Sequence, residues 1–125
     1  MPKSTVTLFL FCFLLQEVVH NPAHAQYWWN ASRESAGLAP DPATTPEAII
    51  QVYGAKAYSW RGYFGIHTWI AVKPTQAKNY TVYEVIGWLQ RRKMSVVSIH
   101  SDGPDRYWYG NFPEVLLEKR GDNVD

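Results

Sequence analysis

His67 is the side chain with the clearest capacity for acid–base chemistry in this sequence. It lies in the middle of a predicted strand, residues 64–72, and an imidazole is the usual proton donor or acceptor near neutral pH. Glu84 interrupts the apolar face of a second predicted strand, residues 80–88, where a carboxylate is unfavourable unless it is paired. We predict that His67 and Glu84 form a catalytic pair in which Glu84 orients the base.

Each of these two residues also has a purely structural interpretation. A single histidine is a weak motif, and His67 could be a core residue that is satisfied by one backbone carbonyl. Glu84 could be neutralised by Arg61, Arg91 or Arg92 without any part in catalysis. The residue types alone leave these alternatives open.

The register between the two strands decides whether the pair can meet. Directly opposed residues of antiparallel strands share a face. The most apolar faces of both strands carry the even-numbered residues, and matching those faces places Glu84 near Thr68 and His67 near Tyr83 or Val85. Matching of apolar faces favours this register slightly, but the sequence leaves the register open, and with it the contact between His67 and Glu84. The alternative, shifted by one residue, would put His67 and Glu84 on a common face.

Aromatic side chains indicate a second kind of site. We predict that Trp60, Trp69 and Trp108 form an aromatic face that binds a cell-envelope glycan or a peptide. The alternative is that these residues belong to the core, where large aromatic side chains are commonly buried.

A metal site is not predicted. His100, Asp102 and Asp105 cluster around a predicted turn, but their spacing matches no established ligand pattern, and aspartates are common in turns. The sequence also contains no glycine-rich phosphate loop. We therefore predict no metal and no cofactor.

The elements that must position these residues are those of a small α+β domain, an antiparallel sheet with a short flanking helix. The predicted helix follows Asn111, with Pro113 in its first turn and Gly121 after its last turn. The first strand has a helical alternative, because Thr45 and Pro46 could start a helix. Strands are predicted at residues 49–57, 64–72, 80–88 and 95–99.

Residues 1–25 have the order of a secretory signal peptide. Lys3 supplies positive charge, residues 6–15 are almost entirely apolar, and Ala23 and Ala25 resemble a cleavage signal. The sequence therefore predicts a periplasmic or secreted protein. The alternative is an uncleaved segment that anchors the chain at its N-terminus, and membrane contact is expected only through that segment.

The remaining chain divides into two predicted parts. Residues 26–47 are rich in proline and are predicted to be a tether, with packing on the domain as the alternative. Residues 48–125 are predicted to form a β-rich domain. Cys12, the only cysteine, lies in the predicted signal peptide, so the mature chain is expected to have no disulfide and no thiol nucleophile.

Composition excludes two broad classes. Hydrophobic residues make up 46% of the 125 residues and aromatic residues 15%, which excludes a wholly disordered chain. The net charge of +1 argues against a nucleic-acid-binding protein, because such proteins carry basic patches that neutralise phosphates.

Five motifs together resemble a bacterial family that is catalogued as domain of unknown function 3750. The resemblance runs from about residue 32 to residue 120. The motifs are S-A-G-L-A-P-D-P at 35–42, W-R-G at 60–62, H-T-W-I-A-V-K-P at 67–74, Y-E-V-I-G-W at 83–88 and P-D-R-Y-W at 104–108.

The resemblance implies that the domain continues beyond Asp125, into a helix that opens with an Asn-Ser segment. That order is similar to the order in circularly permuted papain-like hydrolases, which act on amide or ester bonds. By this analogy His67 is the base and Glu84 its orienter, and the chain lacks the C-terminal part of the domain. The alternative expectations are a non-catalytic, aromatic-faced binding module and a truncated remnant.

Overall fold

The computed structural model describes residues 27–125, and its main element is one antiparallel sheet. The strands are β1 (Ile49–Lys56), β2 (Ile66–Lys73), β3 (Thr81–Val85), β4 (Val97–His100) and β5 (Glu114–Arg120). Their spatial order is β4-β3-β2-β1-β5, and every neighbouring pair is antiparallel. Within residues 27–125 the helical structure consists of two 3₁₀ helices, Ser59–Tyr63 and Gly87–Arg92.

The predicted antiparallel sheet is confirmed, and the predicted flanking helix is wrong. The segment after Pro113 forms β5, which pairs along the edge of β1 with Leu117 opposite Val52. Local capping signals favoured a helix, but pairing with β1 satisfies the backbone of this segment and outweighs those signals. Gly121 adopts a φ of 92° after the strand rather than after a helix.

One face of the sheet carries the core. Trp69 is 2% exposed and stacks on Tyr53, with ring centroids 5.5 Å apart. This face is covered by irregular chain, since Leu38 and Ala39 pack against it. The buried apolar residues of the core are Ile49, Tyr53, Ala55, Trp69, Ala71, Tyr80, Val82 and Trp108.

The segment before β1 is held on this face by one buried carboxylate. Asp105 accepts hydrogen bonds from the Ser35 hydroxyl and from the backbone amides of Leu38 and Ala39. Ser35 also forms an isolated antiparallel bridge with Arg106. Residues 35–39 therefore form part of the cover over the sheet.

The opposite face of the sheet is apolar and exposed within the described residues. Ile66 and Ile70 of β2 point to this side, as do Tyr83 of β3 and Ile99 of β4. The expectation that the even-numbered side chains of β2 and β3 share a face is therefore wrong. The physical reason is that Trp69, on the odd-numbered face of β2, brings a larger apolar area into the core.

The predicted signal peptide, with Cys12, lies outside the described residues, and its boundary with the tether stays a prediction. Among residues 27–125, no helix has the length and apolar character that crossing a bilayer requires.

Candidate functional site: the His67–Glu84 cluster

The observed register brings His67 and Glu84 together. Glu84 lies directly opposite Trp69, and His67 lies on the same face of β2 two residues away. The pair is therefore diagonal across the two strands, and the Nε2 atom of His67 lies 2.9 Å from Oε2 of Glu84. The register shifted by one residue, the alternative at the sequence level, is the one that the structure has.

Glu84 is also contacted by one residue of a third strand and by one residue of a loop. Val82 lies opposite His100 of β4, so His100 shares the face with Glu84, and its Nε2 lies 2.8 Å from Oε1 of Glu84. Arg106, in the loop between β4 and β5, donates from Nη2 to the same oxygen, at 2.5 Å. The cationic partner of Glu84 is therefore Arg106 rather than an arginine of residues 61–92.

These contacts keep Glu84 ionised although its side chain is only 2% exposed. Burial on its own would raise the pKa of the carboxyl. The hydrogen bond from His67, the charge of Arg106 and the hydrogen bonds from His100 and Arg106 outweigh burial and lower the pKa to about 2. A carboxylate only accepts hydrogen bonds, so both histidines carry a proton on Nε2 when they bind Glu84.

Aromatic rings fix the plane of His67. Trp108 stacks on the imidazole, with centroids 3.6 Å apart and an angle of 11° between the rings. Trp69 lies on the same strand as His67, and the centroids of the two rings are 5.7 Å apart. The indole N–H of Trp69 donates to the carbonyl of Pro104. His67 is therefore held by one ionic hydrogen bond and by two rings, which leaves it a single well-defined orientation.

His67 lines a cavity of about 580 Å³, within the usual range for ligand pockets. Because Nε2 donates to Glu84, Nδ1 is the ring nitrogen that His67 can offer to a ligand. The two 3₁₀ helices border the cavity and supply its charged side chains. Its lining includes His67, Trp108, Trp88, Gln90, Arg61 and Arg91.

A sequence model of the family described as Protein of unknown function (DUF3750) matches residues 47–125. The chain belongs to this family. The match confirms the resemblance to this family and contains four of the five motifs, the motif at 35–42 lying before it. It also contains all five strands and the Glu84 cluster, which consists of Glu84, His67, His100 and Arg106. No curated protein and no solved structure matches the chain.

The three tryptophans of the predicted aromatic face do not lie together in the DUF3750 domain. Trp69 and Trp108 are buried and in contact, with ring centroids 6.3 Å apart, and Trp108 is the ring that stacks on His67. Trp60 is 62% exposed and lines a different cavity, of about 510 Å³. The structure therefore places Trp60 apart from the other two.

The two aspartates that follow His100 in the sequence, Asp102 and Asp105, form no hydrogen bond with it. The carboxylate of Asp105 is turned towards Ser35, and an oxygen of Asp102 lies 4.0 Å from Nδ1 of His100, too far for a hydrogen bond. Among the described residues, no group of three or more His, Cys, Asp and Glu side chains is arranged to hold a metal ion.

Sequence reasoning missed two members of the site. Arg106 lies within the P-D-R-Y-W motif, but nothing local to it indicates a partner 22 residues earlier in the chain. The alternating pattern places Trp88 in the predicted strand 80–88, whereas β3 ends at Val85. The interruption of the alternating pattern at Gly87 is the signal that could have separated Trp88 from the sheet.

Proposed function

We propose that the DUF3750 domain is a hydrolase in which His67 is the general base, acting on amide or ester bonds of cell-envelope material. The observation that carries this proposal is the buried, ionised Glu84, which accepts from Nε2 of a histidine that lines a cavity. Glu84 is a positioning residue here. It fixes the protonated nitrogen of His67 and stabilises the imidazolium that forms when Nδ1 takes a proton.

The reaction can be written with water as the nucleophile. Nδ1 of His67 takes a proton from water while the water oxygen attacks the carbonyl carbon. The carbon–oxygen or carbon–nitrogen bond then breaks, and the imidazolium returns the proton to the leaving group. Arg61 and Arg91 line the cavity and supply positive charge for the oxyanion that forms.

The described lining of the cavity contains no Ser, Thr or Cys side chain. A papain-like arrangement, in which a side chain on a helix attacks the substrate, would therefore require a nucleophile from outside this lining. Water as the nucleophile needs no such group.

The test is hydrolysis of p-nitrophenyl acetate and of a peptide p-nitroanilide by the full chain and by His67→Gln. We expect the substitution to lower kcat/KM by about 100-fold or more, the usual contribution of a positioned base. Glu114→Gln, at an exposed position of β5, is the matched control and should leave kcat/KM unchanged. Near-UV circular dichroism checks that both variants are folded.

Two results would contradict the hydrolase proposal. One is a rate of hydrolysis no higher than that of buffer for both substrates. The other is a folded His67→Gln variant that hydrolyses them as fast as the unsubstituted chain does.

A non-catalytic binding module is the second candidate. It is favoured by the tryptophan rings in the cavity lining, which offer apolar contact area to a ligand. Trp88 and Trp108 border the cavity, so a bound ligand should quench tryptophan fluorescence. Saturable quenching without any turnover would select the binding module over the hydrolase.

We also propose that the protein acts outside the cytoplasm, on the basis of residues 1–25. The measurement is the intact mass of the native protein from each cell fraction. A periplasmic or secreted species that begins at Gln26 is the expected result. An intact species in the membrane fraction would indicate the anchored alternative, and an intact cytoplasmic species would contradict export.

A further inference from the structure

We infer that the DUF3750 domain binds a carboxylated oligosaccharide of two or more sugar rings along two adjoining cavities. This inference rests on the proposed function for the position of the first ring, beside His67. It adds the chemical class of the ligand and a second subsite. The binding it describes can be measured whether or not the domain hydrolyses anything.

The two cavities are neighbours around the first 3₁₀ helix. Ala57 and Tyr58 line both of them, and the cavity volumes are about 580 Å³ and 510 Å³. Arg61 of this helix lines the His67 cavity and Trp60 lines the other one, and the Arg61 guanidinium lies over the Trp60 ring, 5.1 Å from its centroid. Each cavity has the volume of an ordinary ligand pocket, so the pair can hold two linked units.

The charge of both cavities is positive. Arg61 and Arg91 line the first and Lys56 lines the second, and all three are exposed. In the part of the chain that the structure describes, no Asp or Glu lines either cavity. Glu84 lies behind His67, buried and already bonded to Arg106. A guanidinium pairs well with a carboxylate, so the lining favours an anionic ligand.

Both cavities also present large aromatic surfaces. Trp88 borders the first cavity, and Trp60 and Tyr63 border the second, where Tyr63 is 85% exposed. Tyr and Trp side chains are enriched at binding interfaces relative to the rest of a protein surface. Their flat apolar faces suit a flat apolar ligand face, such as the C–H side of a sugar ring.

Each of the two cavities is also lined by one side-chain amide. Gln90 lines the first cavity and Asn111 the second. An amide both donates and accepts, as sugar hydroxyls do. Each cavity therefore offers the same three functions, an aromatic face, a cation and an amide. That repetition matches a ligand whose repeating unit combines a ring, a carboxylate and hydroxyl groups.

The experiment measures binding of tetragalacturonate to the full chain by isothermal titration calorimetry. The comparison ligands are the fully methyl-esterified tetramer, which has the same rings without the charge, and tetraglutamate, which has the charge without the rings. We expect tetragalacturonate to bind at least 10-fold more tightly than either comparison ligand. The advantage over the ester should shrink as salt is added.

Neighbouring arginines supply a matched pair of variants. Arg91→Gln removes a charge from the cavity lining and should weaken tetragalacturonate binding about 10-fold. Arg92→Gln removes an exposed charge that lines neither cavity, and should leave binding within 2-fold. Trp60→Ala tests the second subsite and should weaken the binding of the tetramer far more than the binding of monomeric galacturonate.

The inference is overturned if the ester or tetraglutamate binds as tightly as tetragalacturonate. It is also overturned if Arg91→Gln and Arg92→Gln have equal effects. None of these readouts uses turnover, so binding without hydrolysis would refute the hydrolase alone. Hydrolysis of test esters without preference for the acidic tetramer would refute this inference alone.

Discussion

Replacing Glu84 by Gln tests the central contact of the site. The carboxylate is buried and accepts hydrogen bonds from His67, His100 and Arg106. An amide of the same shape has one accepting oxygen, and its NH₂ group would face side chains that also donate. The substitution therefore leaves the guanidinium of Arg106 without its negative partner and removes at least one ionic hydrogen bond.

The expected loss follows from the pKa. The pKa of Glu84 falls from its ordinary value of 4.5 to about 2 in the folded protein. Each tenfold change in a protonation equilibrium corresponds to about 1.4 kcal/mol, so the ionised carboxylate contributes about 3 kcal/mol to stability at neutral pH. Removing one partner of a buried ion pair independently suggests about 3–5 kcal/mol. For a domain of this size, 3 kcal/mol corresponds to a Tm lower by about 12–24 °C.

The pH dependence has a definite sign. The folded-state pKa of Glu84 lies below the unfolded-state value, so its stabilisation is complete above about pH 4.5 and is lost as the pH falls towards 2. The difference in unfolding free energy between the unsubstituted chain and Glu84→Gln should be about 3 kcal/mol at pH 7. At pH 3 it should be about half of that.

Urea denaturation at several pH values between 7 and 3 measures this difference. Taking the difference cancels the titrating groups that the two proteins share and that do not contact residue 84. Glu114→Gln is the control, because Glu114 is exposed, and its loss should stay below about 0.5 kcal/mol. A loss below about 1 kcal/mol for Glu84→Gln at pH 7, or a loss that is the same at pH 3, would refute the reasoning.

Asp105→Asn should lower stability by about 2 kcal/mol and speed proteolysis within residues 35–42, whereas Asp102→Asn, at an exposed position, should do neither. Gly62→Ala should lower the free energy of unfolding by about 1–3 kcal/mol in a denaturation assay, because the added Cβ would lie 2.5 Å from a backbone carbonyl oxygen. Gly54→Ala should lower it by less, because the added Cβ meets a flexible leucine side chain. Tyr53→Phe should cost about 1–2 kcal/mol in the same assay, because its hydroxyl donates to a buried glutamine.

The sheet could be predicted where the pattern is local. β1 and β2 are runs of alternating and β-branched residues, and both were predicted within a few residues of their observed bounds. β5 could not be predicted from its local pattern, because Pro113 followed by Glu114 is also typical of a helix N-terminus. Only the free edge of β1, more than 50 residues earlier, makes the extended form of this segment favourable.

The residue types of the candidate site were predictable, but its geometry was not. His67 and Glu84 are the polar residues within apolar strand patterns, which is why they stood out in the sequence. Their contact depends on which face of β2 is buried, and Ile66 and Ile70 made the wrong face look apolar. A count of apolar residues does not weigh the size of Trp69, which is 2% exposed in the structure.

The Glu84 cluster also helps to define the register that creates it. If β3 slipped by one residue, every side chain on it would change face. Glu84 would then point to the exposed side, while His100 and Arg106 would face an apolar surface. The correct register is favoured both by apolar burial, through Trp69 and Val82, and by the pairing of Glu84 with two histidines and an arginine. A Glu84→Gln variant that keeps its sheet but loses this register would therefore show altered near-UV circular dichroism with unchanged strand content.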